Sequence, residues 1–255
     1  MRVCQNILEI IGQTPIVKLN KTVRDCPAAI YAKLEMFNPS GSAKARAALG
    51  MIEDAEKKGL IKPGQIIIEP TSGNQGIGLA MVGAVKGYRV LVVMPDSMSR
   101  ERQELVKAYG AEVFLSPGKD DIQGAVDLAN ELLKKYADSW MPNQFVNPAN
   151  PDYHSQTTAQ EILEQMDQID AFVAGVGTGG TLTGVGRVLK QKLNNLEIYA
   201  IEPSQSAVIS GHKPGNHKIQ GIGDGFIPDN LDRQLLDGVI MVDENEAIAT
   251  TRRLA

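Results

Sequence analysis

Short apolar runs alternate with helical patterns along nearly the whole chain, and no other feature restricts the fold as tightly. The runs are Ala29–Leu34, Ile66–Ile68, Val90–Met94, Val113–Leu115, Ala171–Ala174, Ile198–Ile201 and Val239–Val242. Several are continuous, which predicts strands buried on both faces. Between them the spacing predicts helices at 42–58, 74–86, 98–109, 121–136, 154–166, 181–193 and 244–254. Alternation at this density predicts an α/β fold with a doubly wound parallel sheet. Ser42 is placed to cap the first helix and Gly59 to end it. Asp243 with Glu246 resembles a capping box opening the last. Residues 203–230 are rich in Gly, Pro, His and Ser and read as a long loop, a length that is usually functional in a compact chain.

Composition narrows the function classes. The 255 residues are 43% apolar and 22% charged, enough for a packed core and unlike a disordered or fibrous chain. Aromatics are 5% and the net charge is −4, which argues against base stacking and against a phosphate-backbone footprint, hence against a nucleic-acid partner. No stretch approaches the ~20 apolar residues of a membrane span. Gln5, Asn6 and Glu9 interrupt the first apolar run, so no signal-peptide core is expected. Cys4 and Cys26 cannot make a disulfide framework, and His154, His212 and His217 are not at metal-ligand spacing. A cytoplasmic protein without a metal is the expectation.

Three segments carry chemistry. In Asn38-Pro39-Ser40-Gly41-Ser42-Ala43-Lys44-Ala45-Arg46, a Pro/Gly turn leads to a lysine in the first turn of a helix. The positive field at a helix N-terminus favours the neutral amine, as a nucleophile or Schiff-base lysine needs. Taken alone, Lys44 reads more readily as a solvated surface lysine. In Glu69-Pro70-Thr71-Ser72-Gly73-Asn74-Gln75-Gly76, hydroxyls, an amide and backbone N–H groups lie between a strand and a helix. That is an anion cradle suited to a carboxylate, or else an ordinary turn. In Gly175-Val176-Gly177-Thr178-Gly179-Gly180-Thr181, glycines let the backbone approach an anion closely, and a phosphate is the obvious guest.

The last loop also satisfies G-x-G-x-x-G through Gly175, Gly177 and Gly180. Glu202 follows at roughly the 20-residue distance of the acidic ribose ligand in a dinucleotide site. A nicotinamide dehydrogenase is therefore a rival on pattern, but it accounts for neither the Lys44 nor the Asn74 segment. One phosphorylated cofactor that also needs a lysine and a carboxylate cradle accounts for all three, namely pyridoxal 5′-phosphate.

From Gly12-Gln13-Thr14-Pro15 nearly to Ala255 the chain resembles the cysteine synthase and cystathionine β-synthase family of fold type II pyridoxal-phosphate enzymes. The resemblance rests on AKLEMFNPSGSAKAR, EPTSGNQGIGLA, MPDSMSRER, QFVNPANP, GVGTGGTLTGVGR and KIQGIGDGFIP. It implies a tryptophan synthase β-like fold of two subdomains, with the cofactor in the cleft between them. One subdomain would comprise about 42–150, the other about 1–41 plus 151–255. It implies that Lys44 binds the cofactor aldehyde and later moves the substrate α-proton. Thr71, Ser72, Gly73, Asn74 and Gln75, with Gln144, would hold the substrate carboxylate. Asn74 would also meet the cofactor's 3′-oxygen, and Gly177, Thr178, Gly179, Gly180 and Thr181 its phosphate. Gly223 would face the substrate. The implied reaction is β-replacement through an α-aminoacrylate on a serine-derived amino acid, with sulfide or a thiol as second partner. Conversion of O-acetylserine and sulfide to cysteine leads, in a cytoplasmic homodimer.

Four departures from the family pattern are visible. Ala45 replaces the usual aspartate after the lysine, and Gln75 replaces a usual threonine. The family's final segment, which supplies a serine to the pyridine nitrogen, has no counterpart before Ala255. With Ala45, this raises a catalytically silent relative as a third reading. Asp224 stands in Gly221-Ile222-Gly223-Asp224-Gly225-Phe226 where synthases commonly have alanine. A carboxylate there would repel sulfide anion and could activate water, favouring breakdown of cysteine to serine and sulfide, or a serine-using β-synthase. An exposed loop aspartate is the plain alternative.

Overall fold

In the computed structural model, residues 3–254 other than Ser72 are described. The elements are β1 (Ile16–Lys18), β2 (Tyr31–Lys33), α1 (Lys44–Lys57), β3 (Ile66–Pro70), α2 (Asn74–Lys86), β4 (Arg89–Pro95), α3 (Arg100–Ala108), β5 (Glu112–Ser116), α4 (Asp121–Lys135) and β6 (Ser139–Trp140). They continue with α5 (Ala149–Gln156), α6 (Thr158–Gln165), β7 (Ala171–Gly175), α7 (Gly180–Lys192), β8 (Glu197–Pro203), β9 (Gly238–Val242) and α8 (Glu244–Leu254). The chain divides into two compact units, Met1–Gly12 with Met36–Tyr153, and Gln13–Glu35 with His154–Ala255. The N-terminal turn thus groups with the 36–153 unit, where Leu8 and Ile11 pack against its core, whereas the sequence expectation placed it with 151–255.

The first unit holds a parallel sheet in the order β5-β4-β3-β6. Its central strands explain their continuous apolar runs. Ile67, Val90, Val92 and Met94 belong to a core shared with α1 and α2. Ile68, Leu91 and Val93 point the other way, onto Ala125, Ala129 and Leu132 of α4. Both faces are covered, which is why Ile66–Ile68 and Val90–Met94 are apolar without interruption.

The second unit holds a parallel sheet β7-β8-β9 and the separate antiparallel pair β1-β2. Leu182, Val185 and Leu189 of α7 pack with Ala159 and Ile162 of α6 and with Ile198 and Ala200 of β8. Here burial on two faces does not hold. Phe172 and Ala174 join this core, whereas Val173 and Ile240, on the outer strands, are 45% and 42% exposed. Among the described residues, no helix is long and apolar enough to cross a membrane.

Candidate active site

Lys44 opens α1 from a turn fixed by its own backbone. Gly41, at φ +77°, donates to the Asn38 carbonyl at 2.7 Å, and the Asn38 side chain accepts from Gly12 N at 2.9 Å. Ser42 Oγ accepts from Lys44 N at 3.3 Å, but α1 begins two residues later than the predicted helix, so the cap position falls to Ala43 and not to Ser42. Ala45 is fully buried in the α1–α2 core with Ala48 and Ile52, so the methyl fills apolar space. Gly78 of α2 faces Lys44 directly. A Cβ at Gly78 would stand 2.8 Å from the Lys44 carbonyl oxygen and 3.1 Å from Ala48 Cβ. The two helices therefore touch backbone to backbone at the lysine, which fixes its distance from the α2 N-terminus.

That N-terminus carries the 71–75 loop. Thr71 is buried, its N–H donates to Val93 O at 2.9 Å, and its Oγ1 accepts from Gly73 N at 3.2 Å. The Thr71 hydroxyl hydrogen is left to donate elsewhere, whereas the Gly73 N–H is spent within the loop. Asn74 opens α2 with its side chain exposed. Gln75 is 1% exposed, yet neither its Nε2 nor its Oε1 has a hydrogen-bond partner among the described residues. A buried, unpaired carboxamide costs on the order of 1–3 kcal/mol, so it marks a place where a polar ligand belongs. Ser72 lies outside the described residues.

Gln144 arrives on a segment clamped by Glu69 at the end of β3. Glu69 Oε1 accepts from Gln144 N at 3.0 Å and Oε2 from Asn143 N at 2.8 Å. Asn150 Nδ2 donates to the Gln144 carbonyl at 2.9 Å. Glu69 is 1% exposed, and burial raises its pKa to about 7 against the lowering effect of those two N–H donors.

In the second unit the predicted phosphate loop links β7 to α7. Val176 donates to Ile201 O at 3.0 Å, and Gly223 N donates to Val176 O at 3.0 Å, so the 221–225 loop is tied to it. The loop has no room for side chains on its glycines. A Cβ at Gly177 would lie 2.5 Å from Gly221 O, and one at Gly179, whose φ is +78°, would lie 2.9 Å from the Leu231 backbone. Thr178 Oγ1 accepts from Gly180 N at 3.4 Å. Thr181 Oγ1 lies 3.2 Å from His154 Nε2, and the other ring nitrogen of that buried histidine lies 2.9 Å from Thr158 Oγ1. His154 thus bridges the Thr158 and Thr181 hydroxyls through its two ring nitrogens. Bare backbone at the start of a 13-residue helix, flanked by two threonine hydroxyls, fits a phosphate.

Asp224 stands beside this loop. Its Oδ2 is 3.5 Å from where a Gly177 Cβ would be. Gly223 is fully engaged within the unit: beyond its N–H bond, its carbonyl accepts from Ser206 Oγ at 3.4 Å and faces His217 Nε2 at 3.0 Å. Glu202, the acidic residue of the dinucleotide pattern, is buried with one oxygen accepting from Ile209 N at 2.8 Å and the other from Ser210 N at 3.0 Å. It is a structural clamp, 1% exposed and so closed to a ribose, which removes the support for a dehydrogenase.

The first unit offers a lysine at a helix N-terminus and an unsatisfied amide loop, and the second a cradle suited to a phosphate; each is a part that an enzyme using a phosphorylated carbonyl cofactor requires. Residues 7–255 match the model of the pyridoxal-phosphate dependent enzyme family. Cysteine synthase of Staphylococcus aureus is 54% identical over 252 residues, covering 98% of this chain and 81% of that protein. The crystal structure of an O-ureido-L-serine synthase superimposes with a TM-score of 0.96 at 46% identity, covering 100% of this chain and 80% of that one. A hydrogen sulfide-producing enzyme from Fusobacterium nucleatum gives a TM-score of 0.95 at 44% identity, covering 99% and 85%. The chain belongs to the pyridoxal-phosphate dependent enzymes, in the cysteine synthase family, and pyridoxal 5′-phosphate is its cofactor.

Proposed function

We propose that the protein replaces the β-substituent of a serine-derived amino acid, with O-acetylserine and sulfide giving cysteine and acetate as the leading reaction. The observation that carries the amino-acid substrate is the buried, unpaired carboxamide of Gln75 beside the spare hydroxyl of Thr71. Both can donate to a carboxylate, as can Asn74. Gln144 completes the carboxylate set, with Gly73 contributing backbone shape. Gly177, Thr178, Gly179, Gly180 and Thr181 hold the cofactor phosphate, Asn74 its ring oxygen and Lys44 its aldehyde carbon. The cofactor supplies an electron sink for negative charge at the substrate α-carbon. Lys44 then removes the α-proton and returns it to the same carbon after the new β-bond forms. The reading carries with it a cytoplasmic homodimer, as the family resemblance implies.

A second reading is favoured by Asp224. A carboxylate so close to the phosphate loop can take a proton from a water attacking the β-carbon, which makes serine and sulfide from cysteine. The similarity to the sulfide-producing enzyme supports it. Two incubations separate the readings: O-acetylserine with sulfide, assayed for cysteine, and cysteine alone, assayed for serine and sulfide. Cysteine formation much faster than sulfide release supports the synthase; the reverse supports the lyase. Neither product in either incubation overturns both.

A further inference from the structure

The two units end one sheet strand in the same way. β3 finishes Ile68-Glu69-Pro70 and β8 finishes Ile201-Glu202-Pro203, and each glutamate is 1% exposed. Each receives two consecutive backbone N–H groups from a later segment, Asn143 and Gln144 at Glu69, Ile209 and Ser210 at Glu202. A carboxylate is well suited to this task because both oxygens accept and neither must donate. In the first unit the clamped pair includes a residue assigned above to the substrate carboxylate. Asn143 sits at φ +53°, in the left-handed region that asparagine tolerates better than most residues, which turns the two N–H groups toward the one carboxylate.

We propose that Glu69 is a positioning residue for substrate binding: its two carboxylate oxygens hold the Asn143–Gln144 backbone so that the Gln144 side chain is set for the substrate carboxylate. This rests on the assignment of Gln144 to that carboxylate. Glu69 touches neither substrate nor cofactor. It acts on the 142–150 segment, which is braced further by Asn147 Nδ2 donating to Pro142 O at 2.9 Å and by Asn150 on Gln144. Loosening one anchor therefore moves the Gln144 end without unfolding the segment.

The test uses holoenzyme and three variants, Glu69→Gln, Gln144→Ala and the double variant. Glu69→Gln keeps one acceptor oxygen and presents an NH2 where the other oxygen was, so one of the two N–H groups loses its partner. Amide exchange at Asn143 or Gln144 is then expected to accelerate about tenfold, the size of one hydrogen bond. KM for the amino acid should rise by a similar factor, with kcat per bound cofactor unchanged, because uniform binding is lost. Gln144→Ala should raise KM, and the double variant should be no worse than Gln144→Ala alone. Glu69→Asp, which keeps two acceptors on a shorter arm, should fall between wild type and Glu69→Gln, and it substitutes if Glu69→Gln does not fold.

Unchanged exchange and unchanged KM in Glu69→Gln overturn the proposal, as does a double variant in which the two effects multiply. A Gln144→Ala enzyme with normal KM overturns the assignment of Gln144, and the proposal with it. A raised KM in Gln144→Ala with a normal KM in Glu69→Gln overturns the positioning role alone.

Discussion

Replacing Gly78 with alanine should damage catalysis far more than stability. The new Cβ would stand 2.8 Å from the Lys44 carbonyl oxygen, 3.2 Å from its carbon and 3.1 Å from Ala48 Cβ. None of these atoms can rotate away, and an ordinary contact needs about 3.5 Å, so α1 and α2 must part by about half an ångström. Overpacking of this kind costs about 1–3 kcal/mol. Alanine in a helix interior returns about 1 kcal/mol over glycine. The net loss is about 0–2 kcal/mol, which for a chain of this size lowers Tm by a few degrees, at roughly 2–4 °C per kcal/mol. Lys44, however, is the first residue of the displaced helix. A 1 Å misplacement can cost about a hundredfold, so half of that should lower kcat on the order of tenfold. Thermal melting followed by circular dichroism, with the rate expressed per bound cofactor, measures both quantities. A Gly78→Ala enzyme with wild-type rate per bound cofactor would refute the claim that this contact sets the position of Lys44.

Other consequences are as concrete. Gly177→Ala should raise the cofactor Kd at least about tenfold in a titration, because its Cβ would lie 2.5 Å from Gly221 O and a backbone carbonyl must shift; unchanged affinity would show that the cradle lies elsewhere. Asp224→Asn should suppress serine and sulfide formation from cysteine while sparing cysteine synthesis, and unchanged output from cysteine would remove Asp224 from the chemistry. Burial holds Glu69 at a pKa of about 7, above its ordinary 4.5, so its contribution to stability is full below pH 4.5 and is lost as pH rises through 7. The loss is on the order of 3 kcal/mol. Urea unfolding from pH 5 to 8 should therefore fall more steeply for wild type than for Glu69→Gln, and parallel curves would show that the carboxylate is not strained by burial. The charged clamp is the form that holds both N–H groups, so the protein gives up stability to keep it.

Much of this was legible in the sequence because the strongest signals are local. α2 matches its predicted bounds, opened after Gly73 and closed by Gly87 at φ +77°. The loops at 71–76 and 175–181 declare themselves through glycines and hydroxyls next to strands. What was not legible depends on distant partners. β1 and β6 are three and two residues long, too short for any periodicity, and exist only through pairing with β2 and β3. The predicted helix 154–166 is broken at Thr157: α5 starts earlier, at Ala149, and ends at Gln156, and α6 runs from Thr158. Glu69 reads as one letter of a motif, since the amides it binds lie 74 and 75 residues away. Glu202 reads as a ribose ligand for the same reason: spacing along the chain is blind to the two backbone amides that occupy it. That Gly177 is required by the carbonyl of Gly221 is likewise a fact of folding, not of pattern.

The proposed chemistry requires that Lys44 carry the cofactor in an enzyme that works at the amino-acid β-carbon. Its most direct test is borohydride reduction of the purified protein, followed by peptide mass mapping. Loss of the near-visible absorption band and a single cofactor adduct on the peptide containing Lys44 are expected. Prior addition of O-acetylserine or cysteine should shift the band and suppress the adduct. An adduct on another lysine, or a band and adduct indifferent to both amino acids, would contradict it.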